Sequence, residues 1–128
     1  MTQIERVSND VYVFTSELYA QVTAGVIHTS EGAVLIDTLP YPSDTLELKK
    51  FVEGKLSSRV RYVVNTHYHA DHTYGNCMFP EAQIVSHALC RNLLDTLGRE
   101  GLLAAQADDS TLVDVRILLP ELIFDSGD

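Results

Sequence analysis

Short apolar runs separated by turn-forming residues dominate the first third of the chain, and such runs predict strands. Val11-Tyr-Val-Phe-Thr15 is a β-branched and aromatic run set off by Ser8-Asn9-Asp10. Val22 to His28 and Ala33 to Asp37 form two more runs around Ser30-Glu31-Gly32. That arrangement predicts a hairpin with Gly32 at the position needing positive φ. Thr38 to Pro42 holds two prolines and reads as a loop. Asp44, with Glu47 three residues on, has the spacing of a helix cap and capping box. Leu46, Lys50, Phe51 and Leu56 give that helix a loosely apolar face.

Further along, Val60 to Val64 predicts a strand and Gln83 to Val85 a shorter one. Ser86 predicts the cap of a helix through Leu97 that ends near Gly98, and Glu100 to Ala107 a second helical stretch. Leu112 to Phe124 reads as extended and is broken by Pro120. Strands followed by alternating strand and helix imply an α/β (α+β) fold, one mixed sheet with helices on one face. The 128 residues amount to a single domain, 1–128, with enough chain to bury roughly two-thirds of its unfolded surface.

Charge narrows the partners. A net charge of −9 argues against nucleic acid, since phosphate binding needs a basic patch and Lys49-Lys50 and Arg59-Val-Arg61 are too short to form one. Two cysteines, Cys77 and Cys90, do not make a disulfide framework, so a reducing compartment is the simpler context. The start of the chain lacks the basic and apolar regions of a secretory signal, and no apolar run is long enough to cross a bilayer. A cytoplasmic protein with no membrane partner is expected.

The chemistry is concentrated in His67-Tyr-His69-Ala-Asp71-His72, four metal-ligating side chains in six residues. In an extended loop His67 and His69 point to the same side, so two imidazoles converge on one ion. Asp71 and His72, just beyond, are placed to reach a second. Five histidines and ten aspartates in this chain would produce the pattern by chance about six times in ten thousand. The cluster also follows directly on a predicted strand, and ligands in α/β sheets bind beyond the carboxyl ends of strands. A single bound metal lowers the pKa of water toward ~7, and a pair clamps both ends of a hydrolytic displacement.

The stretch Asn65-Thr-His-Tyr-His-Ala-Asp-His-Thr-Tyr-Gly-Asn76 resembles the metal-binding signature of the metallo-β-lactamase superfamily. Gly25 to Thr38 is similar to that family's hairpin and motif aspartate. The resemblance implies half of an αββα sandwich, the N-terminal portion of the domain. It implies His67 and His69 as ligands of a first metal and Asp71 and His72 of a second, with Asp37 behind them orienting the loop. It implies zinc, one or two ions, with manganese or iron as substitutes. It also implies a small-molecule substrate, with Asp71 as the catalytic carboxylate and a zinc-bound hydroxide attacking an ester, thioester, lactone or amide carbonyl. Tyr74 departs from the glycine of many relatives. Nothing after His72 matches the later histidine and aspartate turns of the family, so the chain is expected to be a fragment or a half-length relative. A homodimer, or pairing with an absent C-terminal half, is then expected to complete it, and alone it should turn over little. The alternative function is a half-length, non-catalytic metal-binding or assembly module.

The remaining candidates weigh toward ordinary roles. His28, at the turn end of the hairpin, reads as a surface histidine. His87 reads as a helix-start histidine, with a third metal ligand as the rival reading. Cys77 reads as a buried thiol rather than a zinc ligand, and Cys90 as core. Tyr68 and Tyr74 flank the ligands and either pack or touch substrate. Leu93, Leu94, Leu97, Leu102 and Leu103 are expected in the core or an interface.

Overall fold

A computed structural model of the chain describes residues 2–125. Its sheet has seven strands in the order of the sequence: β1 (Thr2–Ser8), β2 (Val11–Ser16), β3 (Thr23–Thr29), β4 (Gly32–Ile36), β5 (Val60–Val64), β6 (Gln83–His87) and β7 (Leu122–Phe124). The first four are joined by short turns and run antiparallel. From β4 to β7 the pairing is parallel, so each connection is a crossover. These carry α1 (Pro42–Lys50), α2 (Ala70–Thr73), and α3 (Ala88–Leu93) with α4 (Arg99–Asp108). Crossovers of one hand stepping in one direction put every helix on the same face, as the sequence pattern implies.

The strands alternate accordingly. Phe14, Val26, Leu35, Val63 and Ile84 are fully or almost fully buried against Leu48 and Val52 of the α1 region. The other face carries a row running straight across the strands, Val13–Gly25–Ile36–Val64–Val85. A second row runs Val11–Ile27–Val34–Tyr62. All of these are half-buried, shielded by one another but not by any helix. Among the described residues, the sheet therefore has one covered face and one apolar face without a covering layer.

Several local expectations are corrected. β1 was not anticipated; it is an edge strand whose residues after Thr2 are all exposed. The first helix begins at Pro42 with Tyr41 as its cap, not at Asp44. Proline suits the first helical position because its missing N–H would have no partner there. Asp44 lies inside the first turn, buried, and accepts a hydrogen bond from Ser16 Oγ at 2.6 Å. The helix runs on through a π-helical turn at Phe51–Lys55. His87, not Ser86, caps α3: its ring nitrogen Nδ1 accepts from Leu89 N at 2.9 Å.

Gly98 does not end a helix. Its backbone is helical, and residues 88–108 continue through a π-helical turn at Leu94–Gly98. A Cβ on Gly98 would stand 2.7 Å from Leu94 Cδ1, so the glycine serves close packing rather than termination. Leu94 and Leu102 are buried as expected, whereas Leu97 and Leu103 are exposed. Most of 112–121 is irregular, and only Leu122–Phe124 joins the sheet. The residues that follow Asp125, Gly127 among them, lie outside the described residues. Gly32 has φ +126° as the hairpin requires. Among the described residues no helix is long and apolar enough to cross a membrane.

Candidate metal centre

The carboxyl ends of β4 and β5 build the site. β4 ends at Ile36, and Asp37 follows with φ +65°, a left-handed turn that aspartate tolerates better than most residues. Its amide donates to Val64 O at 2.8 Å, which ties the two strand ends together. Its carboxylate gathers the loop after β5. Oδ1 accepts from Thr66 N at 2.8 Å, and Oδ2 accepts from Thr66 Oγ1 at 2.7 Å and faces His72 Nδ1 at 2.7 Å.

These bonds decide tautomers. The Thr66 hydroxyl gives its one proton to Asp37, so at His67 Nδ1, 2.9 Å away, it can only accept. His67 therefore carries its proton on Nδ1, and His72 likewise donates from Nδ1 to Asp37. Both leave Nε2 free to bind a metal, the usual consequence of an outer hydrogen bond to a ligand imidazole. Burial and the neighbouring His72 ring, in that order, lower the pKa of His67, which favours the neutral, ligating form.

His67, His69 and Asp71 each bring one ligand atom into a group whose members all lie within 4.8 Å of one another. The His67 and His69 rings are edge-to-face at 4.9 Å. His72 stands beside this group, its ring 4.1 Å from that of His67 and its Nε2 3.4 Å from Asp71 Oδ2. All four residues of the sequence motif are thus together. Two imidazole nitrogens and a carboxylate oxygen suit zinc, which accepts all three donors, and with no thiolate present they do not favour a softer ion.

A buried polar frame holds the loop from behind. The side chains of Asn65 and Asn76 exchange two hydrogen bonds, at 3.0 and 2.7 Å, bracketing the motif. Thr38 Oγ1 lies 3.1 Å from His72 O and 3.3 Å from Asn76 Oδ1. Gly75 lets the 3-10 turn after α2, Tyr74–Met78, approach closely, since a Cβ there would sit 2.4 Å from Thr38 O. Neither Asn65, Asn76, Thr38 nor Thr66 was singled out from sequence. The asparagines at both ends of the motif were the available signal.

The other candidates take quieter places. His87 reaches the same sheet edge, but both ring nitrogens are engaged, Nδ1 by Leu89 N and Nε2 by Asp125 O at 3.0 Å. His28 sits on β3 opposite Ala33, at the far end of the hairpin. Cys77 is half-buried with Sγ 3.4 Å from Tyr74 O, and burial pushes the Cys90 thiol up. Tyr74 is buried; Tyr68 is half-buried, its ring 4.8 Å from that of His69. Beside His69 and Asp71 opens a cavity of about 370 Å³, walled by Tyr19, Pro40, Tyr41, Tyr74 and Leu112.

Known proteins share this fold. A metallo-β-lactamase type 2 of Bacillus cereus is 40% identical over 63 residues, which make up 49% of this chain and 25% of that protein. A solved metallo-β-lactamase from Hirschia baltica superposes with TM-score 0.74 over 99% of this chain and 53% of its own, at 14% identity. The mono-zinc form of the metallo-β-lactamase FIM-1 from Pseudomonas aeruginosa gives 0.71 over 98% and 52%, at 18% identity. At such identities the structural likeness speaks for the fold alone. The chain spans about a quarter of the curated relative it matches and about half of the solved structures. The profile of the metallo-β-lactamase superfamily matches residues 19–127, most of the sequence and all of the histidine motif. With the strand-end cluster of His67, His69 and Asp71 in place, the chain belongs to the metallo-β-lactamase superfamily, a family of metal-dependent hydrolases.

Proposed function

We propose that this chain supplies the metal-binding half of a zinc-dependent hydrolase acting on an ester, thioester, lactone or amide. The observation that carries the reading is the convergence of His67, His69 and Asp71 at the end of β5, with Asp37 fixing the imidazoles behind them. His67 and His69 would hold a first ion through nitrogen, and Asp71 and His72 would contribute to a second. When bound, the metal supplies Lewis acidity and lowers the pKa of water to supply a nucleophile at neutral pH.

The chain's own groups do the rest. Asp37 and Thr66 hold the His67 proton on Nδ1, and Asp37 holds that of His72. Asp71, half-buried with Oδ2 near His72 Nε2, would orient the attacking water and take its proton. The carbonyl carbon to be attacked would enter from the cavity that His69 and Asp71 border.

A second reading is favoured by the sheet face that lacks a covering layer: a metal-binding assembly module with no turnover of its own. Calorimetry with zinc tests what both readings share. The wild-type chain should bind, and His67→Ala/His69→Ala should not. Equal heats from both proteins would remove the metal reading. Hydrolysis of ester, thioester and lactone substrates by the chain completed with the second half of such a domain, lost in Asp71→Ala, then separates enzyme from module.

A further inference from the structure

Two basic clusters that are each too short to hold an anion, Lys49-Lys50 and Arg59-Val-Arg61, are brought together by the fold. Residues 49–61 carry five of the nine lysines and arginines and one of the eighteen acids, so positive charge is concentrated here in an otherwise acidic chain. Lys49, in the last turn of α1, and Arg59, just before β5, line one cavity of about 180 Å³ with Glu53, Phe79 and Glu81. Arg59 also lines a second, of about 290 Å³, with Arg61, Glu81 and Gln83. Val60 and Gln83 begin β5 and β6, so both cavities open at the amino ends of these strands. The metal centre lies at the carboxyl end of β5, five residues and roughly 15 Å away.

The walls are held in place. Lys49 Nζ donates to Met78 O at 3.0 Å and stands 5.8 Å from the centre of the Phe79 ring. Arg59 O accepts from Ala33 N at 2.8 Å, and Ser58 N donates to Val52 O at 3.0 Å, which ties the backbone at Arg59 to β4 and to the α1 region. Glu81 sits in a turn closed by Ala82 N, which donates to Phe79 O at 3.1 Å. The guanidiniums themselves are not neutralised. Among the described residues, ion pairs join His72 to Asp37 and Asp71, and Arg99 to Asp95, and neither Arg59 nor Arg61 takes part in one. A guanidinium offers several donors in a rigid fork that matches the oxygens of a phosphate, and two beside one cavity can share a dianion.

We infer that Arg59 and Arg61, with Lys49 beside them, form a binding site for the phosphate group of a small molecule, separate from the metal centre. Glu53 and Glu81 lie exposed at its rim. There they accept from hydroxyl donors on the same ligand and repel a second anionic group. Three cations are too few to follow a nucleic-acid strand, which takes a longer basic track. The site does not depend on the hydrolase reading.

Amide-resolved NMR titration of the metal-free chain with glycerol phosphate, at constant ionic strength and mildly alkaline pH, tests it. Saturable shifts are expected at Arg59, Arg61, Glu81 and Gln83. Arg59→Gln/Arg61→Gln should weaken binding by at least about tenfold, because charge-assisted contacts are lost. Glu81→Gln should tighten it by about threefold by removing a repelling carboxylate. Lys50→Gln/Lys55→Gln removes two exposed cations that line neither cavity, and should retain binding. All four arginines and lysines exchanged here are exposed, so thermal melts of both double variants should match the wild type. Equal weakening by the two double variants would show that phosphate senses only the overall charge, and would overturn the site. Shifts centred on residues 67–72, or no saturable shift, would overturn it too. Phosphatidylcholine vesicles containing phosphatidic acid probe the other source of the group. A chain that sediments with them but ignores glycerol phosphate would overturn the small-molecule assignment.

Discussion

Asp37 Oδ2 and His72 Nδ1 lie 2.7 Å apart, joining the residue after β4 to the helical turn that follows β5. The same oxygen also accepts from Thr66 Oγ1. One carboxylate therefore orients two segments of the loop that carries every candidate ligand.

Asp37→Asn should weaken zinc binding by about 10- to 100-fold, the usual cost of losing a group that orients ligand imidazoles. An amide is of equal size, but one of its two heads only donates. Oδ1 and Oδ2 together accept three hydrogen bonds here, so either orientation of the amide faces a donor with another donor. Zinc calorimetry on the variant reads the loss. An affinity unchanged from wild type would mean that Asp37 does not orient the imidazoles.

Gly75→Ala should cost about 1–3 kcal/mol, the range for inserting a methyl group into a packed site. Its Cβ would meet Thr38 O at 2.4 Å and both Thr38 Cβ and Thr45 Oγ1 at 2.7 Å, and a backbone atom cannot swing aside. Gly54→Ala is the control, because nothing lies within 4 Å of its Cβ. In a helical setting that change is neutral or stabilising by up to about 1 kcal/mol. Paired thermal melts should show opposite or clearly unequal shifts.

How far the sequence anticipates these relationships depends on how local the signal is. The histidine motif is legible because its members lie within six residues, and its position after Val60–Val64 follows from strand-end logic. The hairpin is legible because Gly32 satisfies a backbone demand that few residues can. β1 was missed because Glu5 and Arg6 interrupt any alternation and the strand buries almost nothing. Gly98 misled because a glycine near the end of a helical pattern looks alike whether it ends the helix or makes room for Leu94. Asp44 was misplaced as a cap although Pro42 carried the better start signal. The cavity beside the cluster was not legible at all. Tyr19, Tyr41 and Leu112 are far apart in sequence, and only the crossover topology brings them to His69.

The apolar rows on the uncovered sheet face predict self-association. We expect the chain to pair with a second copy through this face, since a two-fold axis lets one patch cover another. Ile27 and Val34 lie directly opposite on β3 and β4. Ile27→Glu with Val34→Lys places an ion pair there, which keeps the hairpin together while making the face polar. Sedimentation at high concentration should show association in the wild type and a monomer in the double variant. Leu35→Ala, on the covered face, should instead destabilise the fold by about 2–5 kcal/mol. A monodisperse wild-type monomer would defeat the pairing.

Tyr74 sets the last expectation, at alkaline pH. Its residue is 5% exposed, and burial raises the phenol above its ordinary value of 10.0 because the tyrosinate would be desolvated. The unfolded chain therefore gives up this proton first. The stability Tyr74 contributes is fully present below the unfolded value and is lost as pH rises through the folded one. Wild-type tyrosinate absorbance should show a late step that coincides with loss of structure by circular dichroism. Tyr74→Phe keeps the ring in the cluster with Leu102, Leu112 and Val115 and removes the proton. That variant should lack the late step and hold its fold to higher pH. Superimposable titrations of the two proteins would show that the phenol is hydrated and that the cavity wall at Tyr74 is open to water.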